Sequence, residues 1–439
     1  MKYKLISSPK RPSDPLCPDP KKRKIDFSSS LVRPRQYKGY RFILDTWETG
    51  AQCVLLNYAT GTGKTVIGLT VAAERMRSTP FQEGKTQVSV FTSPCCEILE
   101  QAARDCVVHT DAMTVVLEGY SLYLVTQGKL EFSKINFSDD GRLYGHVRNQ
   151  KITYDTEVPQ RIMLFVAHKS IGKVVDLLWM RNLPRNVLVV DEGHHAHNGT
   201  AFGKDVDGRI KPLFAKTLYM SATAIPSFSY PTISYPFPEA MREAAIPSIS
   251  RSNIHIEVTD QTGVPNWNQM MKQIVNREPD KNHRILIFGG DSSSCKDISA
   301  AFNLFLPGGV YRALSTEAVA VRQEYRAKIS DPSVRHLVLV TEGMFGEGYN
   351  MPEITHVIFV VGPKNPTLKQ SRIEGQDFNV ITAQRIGRLF RSNPDTRFAR
   401  KEITFVSVNS EKSSSLSRLR DVPGHLDVAI QNYFKFHFR

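Results

Sequence analysis

Two short stretches of this sequence combine residue types and spacing that suit phosphate chemistry. In the first, NYATGTGKT (57–65), an apolar run leads into Gly61 and Gly63. Glycines permit a tight turn whose backbone N–H groups face an anion, and a helix starting near Lys64 would direct its positive dipole end to the same place. Lys64 would then contact the β and γ phosphates of a nucleotide, and Thr65 would ligate magnesium.

The first stretch departs from the full P-loop pattern at one position. That pattern has a glycine five residues before Gly63, where this chain has Tyr58. Taken alone, the stretch therefore also fits a glycine-rich strand-to-helix turn that binds no ligand.

The second stretch, VLVVDEGHHAH (187–197), places Asp191 and Glu192 directly after four apolar residues. This pattern predicts the end of a buried strand, the edge at which ligands bind in open parallel sheets. Asp191 would hold magnesium through its water shell, and Glu192 would orient and deprotonate an attacking water. A solvated acidic turn is the alternative, which the preceding apolar run disfavours.

Three histidines follow these carboxylates at positions 194, 195 and 197. A metal cluster is disfavoured because no second group of histidines or cysteines at ligand spacing accompanies them. His194 can instead couple the site to the SAT segment of a neighbouring strand by hydrogen bonds to Ser221 and Thr223.

A third polar group, QRIGRLFR (384–391), carries two arginines three residues apart. On a helix, Arg388 and Arg391 would lie one above the other and contact one phosphate, with Gln384 a turn earlier. Delivered from a second domain, these arginines would stabilise charge on the transferring phosphoryl group. A solvated basic helix face is the alternative.

The elements that must position these residues are predicted by near-continuous apolar runs, which are typical of buried parallel strands. The runs occupy residues 88–94, 161–168, 186–192, 216–223, 284–290, 336–342, 355–362 and 402–408. Stretches such as 65–77 and 97–109 have helical spacing between them. The pattern predicts an α/β fold with two doubly wound parallel sheets.

The same pattern predicts the domain organisation. We expect a first domain at residues 31–240, a second at 245–410, and a linker with a C-terminal helix at 411–439. Alternating segments over 118–160 predict an antiparallel hairpin inserted in the first domain. The proline-rich stretch 224–240 is expected to separate the two domains.

Composition bounds the class of protein. The chain has 439 residues, of which 41% are hydrophobic and 23% charged, as in ordinary globular proteins. Apolar runs stay well short of the ~18 residues of a membrane span, and the basic, proline-broken N-terminus lacks a signal-peptide pattern, so we expect a soluble intracellular protein. The six cysteines have no C-x-x-C spacing, which argues against a zinc ribbon and for reduced thiols.

The net charge of +14 points to a polyanionic partner, with a merely well-solvated surface as the alternative. Residues 1–30 are rich in proline, serine and charge, which predicts a disordered basic tail. Within it PKKRK, Pro20–Lys24, resembles a nuclear localisation signal, and Lys10 and Arg11 lie upstream like a bipartite partner. A solvated tail or a non-specific nucleic-acid arm are the other interpretations.

Taken together and in this order, the motifs resemble those of superfamily 2 helicases over about residues 31–408. The similar segments are VRPRQ (32–36), YATGTGKT (58–65), SPCCEILEQ (93–101), DEGH (191–194), SAT (221–223), ILIF (285–288), TEGMFGEGYNMPE (341–353) and QRIGRLFR (384–391). ATGTGKT (59–65) together with DEGHH (191–195) looks closest to the branch that includes type III restriction motor subunits and DNA-repair translocases.

The resemblance implies two tandem RecA-like domains that bind ATP and Mg²⁺ in the cleft between them. It implies that Gln36 contacts adenine, and that ATP is also bound by Ala59, Thr60, Gly61, Thr62, Gly63, Lys64, Thr65 and Gly348. The implied activity is that of a nucleic-acid-stimulated ATPase, a helicase or translocase that acts on DNA more readily than on RNA. A membrane is not among the implied partners, and a partner protein could set the choice of substrate. Two alternatives stay open: a non-catalytic nucleic-acid-binding scaffold that uses ATP as a clamp, and the motor subunit of a nuclease complex.

Overall fold

The structure, a computed structural model, describes most of residues 31–257 and much of 284–409. The longer stretches outside the described residues are 1–30, 126–132, 154–159, 223–228, 258–283, 342–352, 362–400 and 410–439, and shorter gaps occur elsewhere. The predicted tail, with Lys10, Arg11 and Pro20–Lys24, and the predicted C-terminal helix therefore lie outside them. None of the described helices is long and apolar enough to cross a membrane.

The described residues divide into two compact units. The first takes those within Met1–Leu56, Thr65–Met220 and Ser229–Thr232, and the second those within Asn57–Lys64, Ser221–Phe228 and Ile233–Arg439. The expected domain boundaries, 31–240 and 245–410, stay a prediction.

An eleven-stranded sheet takes most of its residues from the first unit. Its strands are β1 (Cys53–Tyr58), β2 (Gln87–Ser93), β3 (Met113–Glu118), β4 (Ser121–Val125), β5 (Ser133–Phe137), β6 (Leu143–Val147), β7 (Gln150–Thr153), β8 (Arg161–Ala167), β9 (Arg185–Val190), β10 (Lys216–Ser221) and β11 (Thr232–Tyr235). Their order is β11-β1-β10-β9-β2-β8-β3-β4-β5-β6-β7. The pairs from β10 through β9, β2 and β8 to β3 are parallel.

The core lies along these parallel strands. Every residue of β1, β2 and β10 is buried, as the near-continuous apolar runs predict for strands covered on both faces. The helices that connect or flank them are α1 (Pro34–Glu48), α2 (Lys64–Ser78), α3 (Cys96–His109), α4 (Gly172–Arg181), α5 (Ala201–Asp205) and α6 (Phe237–Arg242). Short 3-10 turns at His168–Ser170 and Gly193–Ala196 follow β8 and β9.

Beyond β3 the sheet changes from parallel to antiparallel pairing. Strands β4 to β7 form a meander that extends the sheet, with β3–β4, β4–β5, β5–β6 and β6–β7 all antiparallel. The insertion expected at 118–160 is thus antiparallel, as its alternating pattern predicts, but has four strands where a hairpin has two.

The proline-rich stretch 224–240 is more than a separator between two domains. It contains β11, which lies beside β1 at the edge of the sheet. The N–H of Leu55 donates to the carbonyl of Pro231, and that of Ala59 to the carbonyl of Tyr235. Proline is tolerated here because the strand is at an edge and Pro231 and Pro236 lie outside it.

The second unit contains a six-stranded parallel sheet. Its strands are β12 (Ile249–Glu257), β13 (Arg284–Phe288), β14 (Val310–Ala313), β15 (Leu337–Thr341), β16 (His356–Val361) and β17 (Lys401–Asn409), in the order β12-β17-β16-β13-β15-β14. All five pairs are parallel. Helices α7 (Ser292–Phe305) and α8 (Val319–Ile329) connect strands of this sheet. This sheet, and the first sheet from β10 to β3, are therefore of the predicted parallel α/β type.

Candidate active site

The glycine-rich turn connects β1 to α2. Gly61 and Gly63 have φ of 83° and 89°, a left-handed conformation that glycine adopts without steric cost. The Thr62 hydroxyl donates to the carbonyl of Ala59 at 2.6 Å, and the Thr62 N–H donates to the same oxygen at 3.4 Å. The turn is thereby closed on itself just before the N-terminus of α2.

Lys64, the first residue of α2, folds back over this turn. Its Nζ donates to the carbonyl of Tyr58 at 3.0 Å and to that of Ala59 at 3.4 Å. The ammonium group, the N-terminal end of α2 and the two left-handed glycines together form a site whose chemistry suits an anion. Thr65 lies in the first turn of the same helix and is half-buried.

Tyr58, the departure from the P-loop pattern, belongs to β1 and not to the turn. Its side chain is 1% exposed and meets Tyr235 edge-on, with ring centroids 5.4 Å apart. The tyrosine therefore packs in the core, and the phosphate-binding turn beyond it keeps both of its left-handed glycines.

Asp191 follows β9 directly and is held in place on both its backbone and its side chain. It is 6% exposed. Its N–H donates to the carbonyl of Thr92 at 2.9 Å, and the Ser93 hydroxyl donates to its Oδ2 at 3.2 Å. Both partners come from the end of β2, the strand next to β9. The sequence placed Asp191 at this sheet edge but gave no indication of Ser93.

Glu192 has a conformation that is rare for its residue type. Its φ is 50°, and the left-handed region costs a non-glycine residue about 1–2 kcal/mol. Its Oε2 lies 3.5 Å from Nδ1 of His194, and its side chain is 17% exposed. Strain of this kind persists only where the surroundings impose it, and it is concentrated at functional sites.

A side chain at Gly193, between these carboxylates and the histidines, would be tightly packed. A Cβ on Gly193 would lie 3.2 Å from Cβ of Tyr219 and 3.5 Å from the carbonyl of Met220, both on β10. Gly68 has a similar role in α2, since a Cβ there would lie 2.6 Å from Sδ of Met220. These two glycines let the acidic turn and α2 approach β10 closely.

A buried histidine that sequence reasoning missed also belongs to this edge of the sheet. His168 directly follows β8 and is 8% exposed. Burial lowers the pKa of His168 to about 3, with a further lowering from His195, so its ring is neutral. The only sequence signal is a polar AHKS segment after a buried apolar strand.

Gln36, expected to contact adenine, caps the start of α1. Its Oε1 accepts a hydrogen bond from the N–H of Arg33 at 3.1 Å, and the residue is 6% exposed. The adenine contact stays a prediction.

Several predicted residues cannot be placed. Thr223, Gly348, Gln384, Arg388 and Arg391 lie outside the described residues, as does His197. Ser221 ends β10 and is fully buried, and its predicted coupling to His194 stays a prediction. Among the described residues, no group of three or more histidines, cysteines, aspartates or glutamates could hold a metal ion.

The glycine-rich turn fits phosphate groups, and Thr65 and Asp191 fit a magnesium ion. The turn at 61–63 supplies backbone N–H groups in an anion-binding conformation, and Lys64 supplies a positive charge. A hydroxyl on Thr65 and a buried carboxylate on Asp191 are the hard oxygen ligands that Mg²⁺ prefers, and one or two such protein ligands are usual when phosphates supply the rest.

One family model matches the first part of the chain. Residues 30–227 match the family model described as "Type III restriction enzyme, res subunit". The match includes both the glycine-rich turn and the acidic turn, and it confirms the resemblance drawn from the motifs. None of the curated proteins compared with the chain matches it.

The chain is similar in fold to several solved structures. The ATP-dependent Type ISP restriction-modification enzyme LlaBIII bound to DNA is 14% identical with a TM-score of 0.62, over 93% of this chain and 30% of that one. Dbp5 of S. cerevisiae bound to RNA and ADP BeF3 is 15% identical with a TM-score of 0.53, over 93% of both chains. The helicase Lhr of Mycobacterium smegmatis bound to ssDNA and AMP-PNP is 16% identical with a TM-score of 0.56, over 93% of this chain and 49% of that one.

These likenesses establish the fold. The chain has the RecA-like α/β fold of these structures, with two sheets that are largely parallel, which confirms the predicted fold class. It spans less than half the length of the LlaBIII and Lhr chains, and about the whole length of the Dbp5 chain.

Proposed function

We propose that this protein is a nucleic-acid-dependent ATPase that moves along or separates strands, with DNA as the preferred substrate. The observation that carries the proposal is the occurrence, within the residues that match the family model, of a turn with two left-handed glycines after β1 and a buried Asp191 after β9. Three of the structures of similar fold, those of LlaBIII, Dbp5 and Lhr, were solved with DNA or RNA bound. The net charge of +14 supports contact with phosphate backbones.

The residues divide the work of phosphoryl transfer. In the proposal, the N–H groups of residues 61–63 and the ammonium of Lys64 bind the β and γ phosphates and offset their charge. Thr65 and Asp191 hold Mg²⁺, which when bound neutralises developing charge on the phosphate oxygens. Glu192 accepts a proton from the attacking water and orients it.

Arg388 and Arg391, with Gln384 a turn earlier, are proposed to stabilise charge on the transferring phosphate, and Gln36 and Gly348 to contact the rest of ATP. The roles of the arginines follow from their spacing and charge, and those of Gln36 and Gly348 from the resemblance. Nuclear localisation through Pro20–Lys24 is part of the same proposal, and a cytoplasmic location is its alternative.

Measuring ATP turnover bears on two other functions. A scaffold that uses ATP as a clamp would bind ATP without hydrolysing it, and the motor subunit of a nuclease complex would hydrolyse ATP and also bind a nuclease chain. The left-handed conformation of Glu192 favours hydrolysis over clamping, because strain at such a position is typical of reacting sites.

The test is ATP hydrolysis with and without single-stranded, duplex and forked DNA and RNA. We expect nucleic acid to raise kcat, Lys64→Ala to abolish turnover while leaving oligonucleotide binding within threefold, and Glu192→Gln to keep ATP binding and stall hydrolysis. Tight ATP binding without turnover in the wild-type protein would support the clamp instead. Wild-type turnover in either variant would remove that residue from the mechanism.

A further inference from the structure

His168 joins three separate parts of the first unit. The residue makes hydrogen bonds with the backbone of Asp191, after β9, and of Thr92, in β2. One face of its ring stacks on Phe202 of α5, with centroids 3.8 Å apart and planes 15° apart. The ring also meets His195 edge-on at 5.9 Å and 73°. His168 is therefore in contact with the ends of two strands and with the helix that follows the acidic turn.

The imidazoles continue from His168 to the carboxylate. The rings of His195 and His194 lie 4.2 Å apart with planes tilted by 36°, and Nδ1 of His194 lies 3.5 Å from Oε2 of Glu192. We call His168, His195 and His194 the imidazole row. It connects Glu192 at one end to Phe202 at the other.

The end of the row at Phe202 is fixed by an unusually close backbone contact. A Cβ on Gly203 would lie only 2.1 Å from the carbonyl oxygen of Ala196, the last residue of the 3-10 turn that contains His194 and His195. Only glycine permits this approach. The acidic turn, the row and α5 are thus packed as one body, and His168 connects that body to β8.

This packing explains how Glu192 keeps a strained backbone. A left-handed glutamate persists only if surrounding contacts over-determine its conformation. His168 packs on the turn directly after Glu192, which contains the other two histidines of the row. Nε2 of His168 is buried without a hydrogen-bond partner among the described residues. A buried polar atom without a partner costs stability, so the ring is held there by its stacking and its other hydrogen bonds.

We propose that His168 is a positioning residue for Glu192: through the imidazole row and its backbone hydrogen bonds to Asp191 and Thr92, it holds the carboxylate where it activates water. The inference rests on the proposed function, in which Glu192 has that role. His168 itself touches neither ATP nor water in this scheme.

The test variant is His168→Phe, which keeps a flat ring for the stack on Phe202 and removes the hydrogen bonds. A displacement of about 1 Å at a reacting group lowers rates by on the order of 100-fold. We expect kcat for ATP to fall by roughly 10- to 100-fold and KM for ATP to stay within threefold, because the P-loop turn is unchanged. Phe202→Leu, which removes the ring beneath His168, should lower kcat in the same direction.

A matched control and a double mutant separate positioning from general destabilisation. His356 on β16 is a buried histidine of the second unit, 7% exposed, so His356→Phe should leave kcat within twofold. In a Glu192→Gln background, His168→Phe should lower the single-turnover rate by less than twofold, since residues that act through one group are not additive.

The outcomes distinguish the inference from the function on which it rests. Wild-type kcat in His168→Phe, or an undiminished loss of rate in the Glu192→Gln background, overturns the role of His168 while the ATPase stands. If His168→Phe does not fold, wild-type kcat in Phe202→Leu has the same meaning. Absence of hydrolysis by the wild-type protein, or normal hydrolysis by Glu192→Gln, overturns the proposed function itself.

Discussion

Replacing Gly203 with alanine should damage catalysis through a single methyl group. The added Cβ would lie 2.1 Å from the carbonyl oxygen and 2.8 Å from the carbonyl carbon of Ala196, whereas ordinary contacts begin at 3.4 Å. The backbone of α5 or of the acidic turn must therefore move by about 1 Å, since the obstructing atoms belong to the main chain. Overpacking of this kind costs about 1–3 kcal/mol of unfolding free energy.

Those magnitudes set two measurable expectations for Gly203→Ala. For a unit of this size, 1 kcal/mol lowers Tm by about 2–4 °C, so calorimetry should show a fall of roughly 2–12 °C. Because the same displacement moves the turn after Glu192, kcat for ATP should fall by on the order of 10- to 100-fold, with a smaller change in KM.

Gly208 provides the matched control five residues further along. It lies in the π-helical turn Val206–Ile210, and a Cβ there would meet no atom within 4 Å. Gly208→Ala should therefore leave Tm and kcat at or slightly above wild-type values. If Gly203→Ala and Gly208→Ala behave alike in both assays, the close approach of α5 to the acidic turn is not a requirement of the fold or of catalysis.

Two further predictions concern a buried thiol and the basic tail. Cys106 is fully buried, and burial raises its pKa to about 11. A thiol reagent at pH 8 should therefore modify Cys106 only after the protein is unfolded in urea. Rapid labelling of the native protein, measured by mass spectrometry of the Cys106 peptide, would contradict this burial. Alanine at Lys21, Lys22, Arg23 and Lys24 should abolish nuclear accumulation of a fluorescent fusion in a eukaryotic cell and leave ATP turnover unchanged. Continued nuclear accumulation would leave the cluster as a solvated tail.

Buried parallel strands were the part of the fold most accessible from the sequence. The run expected at 186–192 forms β9 at Arg185–Val190, and the run expected at 216–223 forms β10 at Lys216–Ser221. Such strands are covered on both faces, so their apolar residues form a continuous run that can be recognised in the sequence. Their polar end residues, Asp191 among them, then lie at the edge where the prediction placed them.

Elements defined by pairing with distant backbone were harder to predict. β11 lies within a proline-rich stretch, and what makes it a strand is the backbone of β1, about 175 residues earlier. The meander of β4 to β7 was recognised as antiparallel from its alternation. Its four-strand extent was not predicted, because alternation alone does not set how many strands pair.

The residues of the site differ in the same way: some belong to contiguous motifs, and others meet only through packing of distant elements. Gly61, Gly63, Lys64, Asp191 and Glu192 were identified because each motif is contiguous and carries its own chemistry. His168 and Phe202 were missed because their residue types are ordinary and their meeting depends on how β8 and α5 pack. A single histidine after a strand is not distinguishable, in one sequence, from a satisfied core residue.

Two glycines in the sequence reflect the packing around the acidic turn. Gly193 and Gly203 flank the imidazole row, and at each of them the obstruction to a side chain is main chain or Cβ from another element. Neither has a positive φ, so neither is explained by a turn that favours glycine. Their reason is close approach, which places β10 against one end of the acidic turn and α5 against the other. A Cβ at the glycine within DEGH would be crowded by Tyr219, so glycine lets the acidic turn lie close to β10, directly after the left-handed backbone of Glu192.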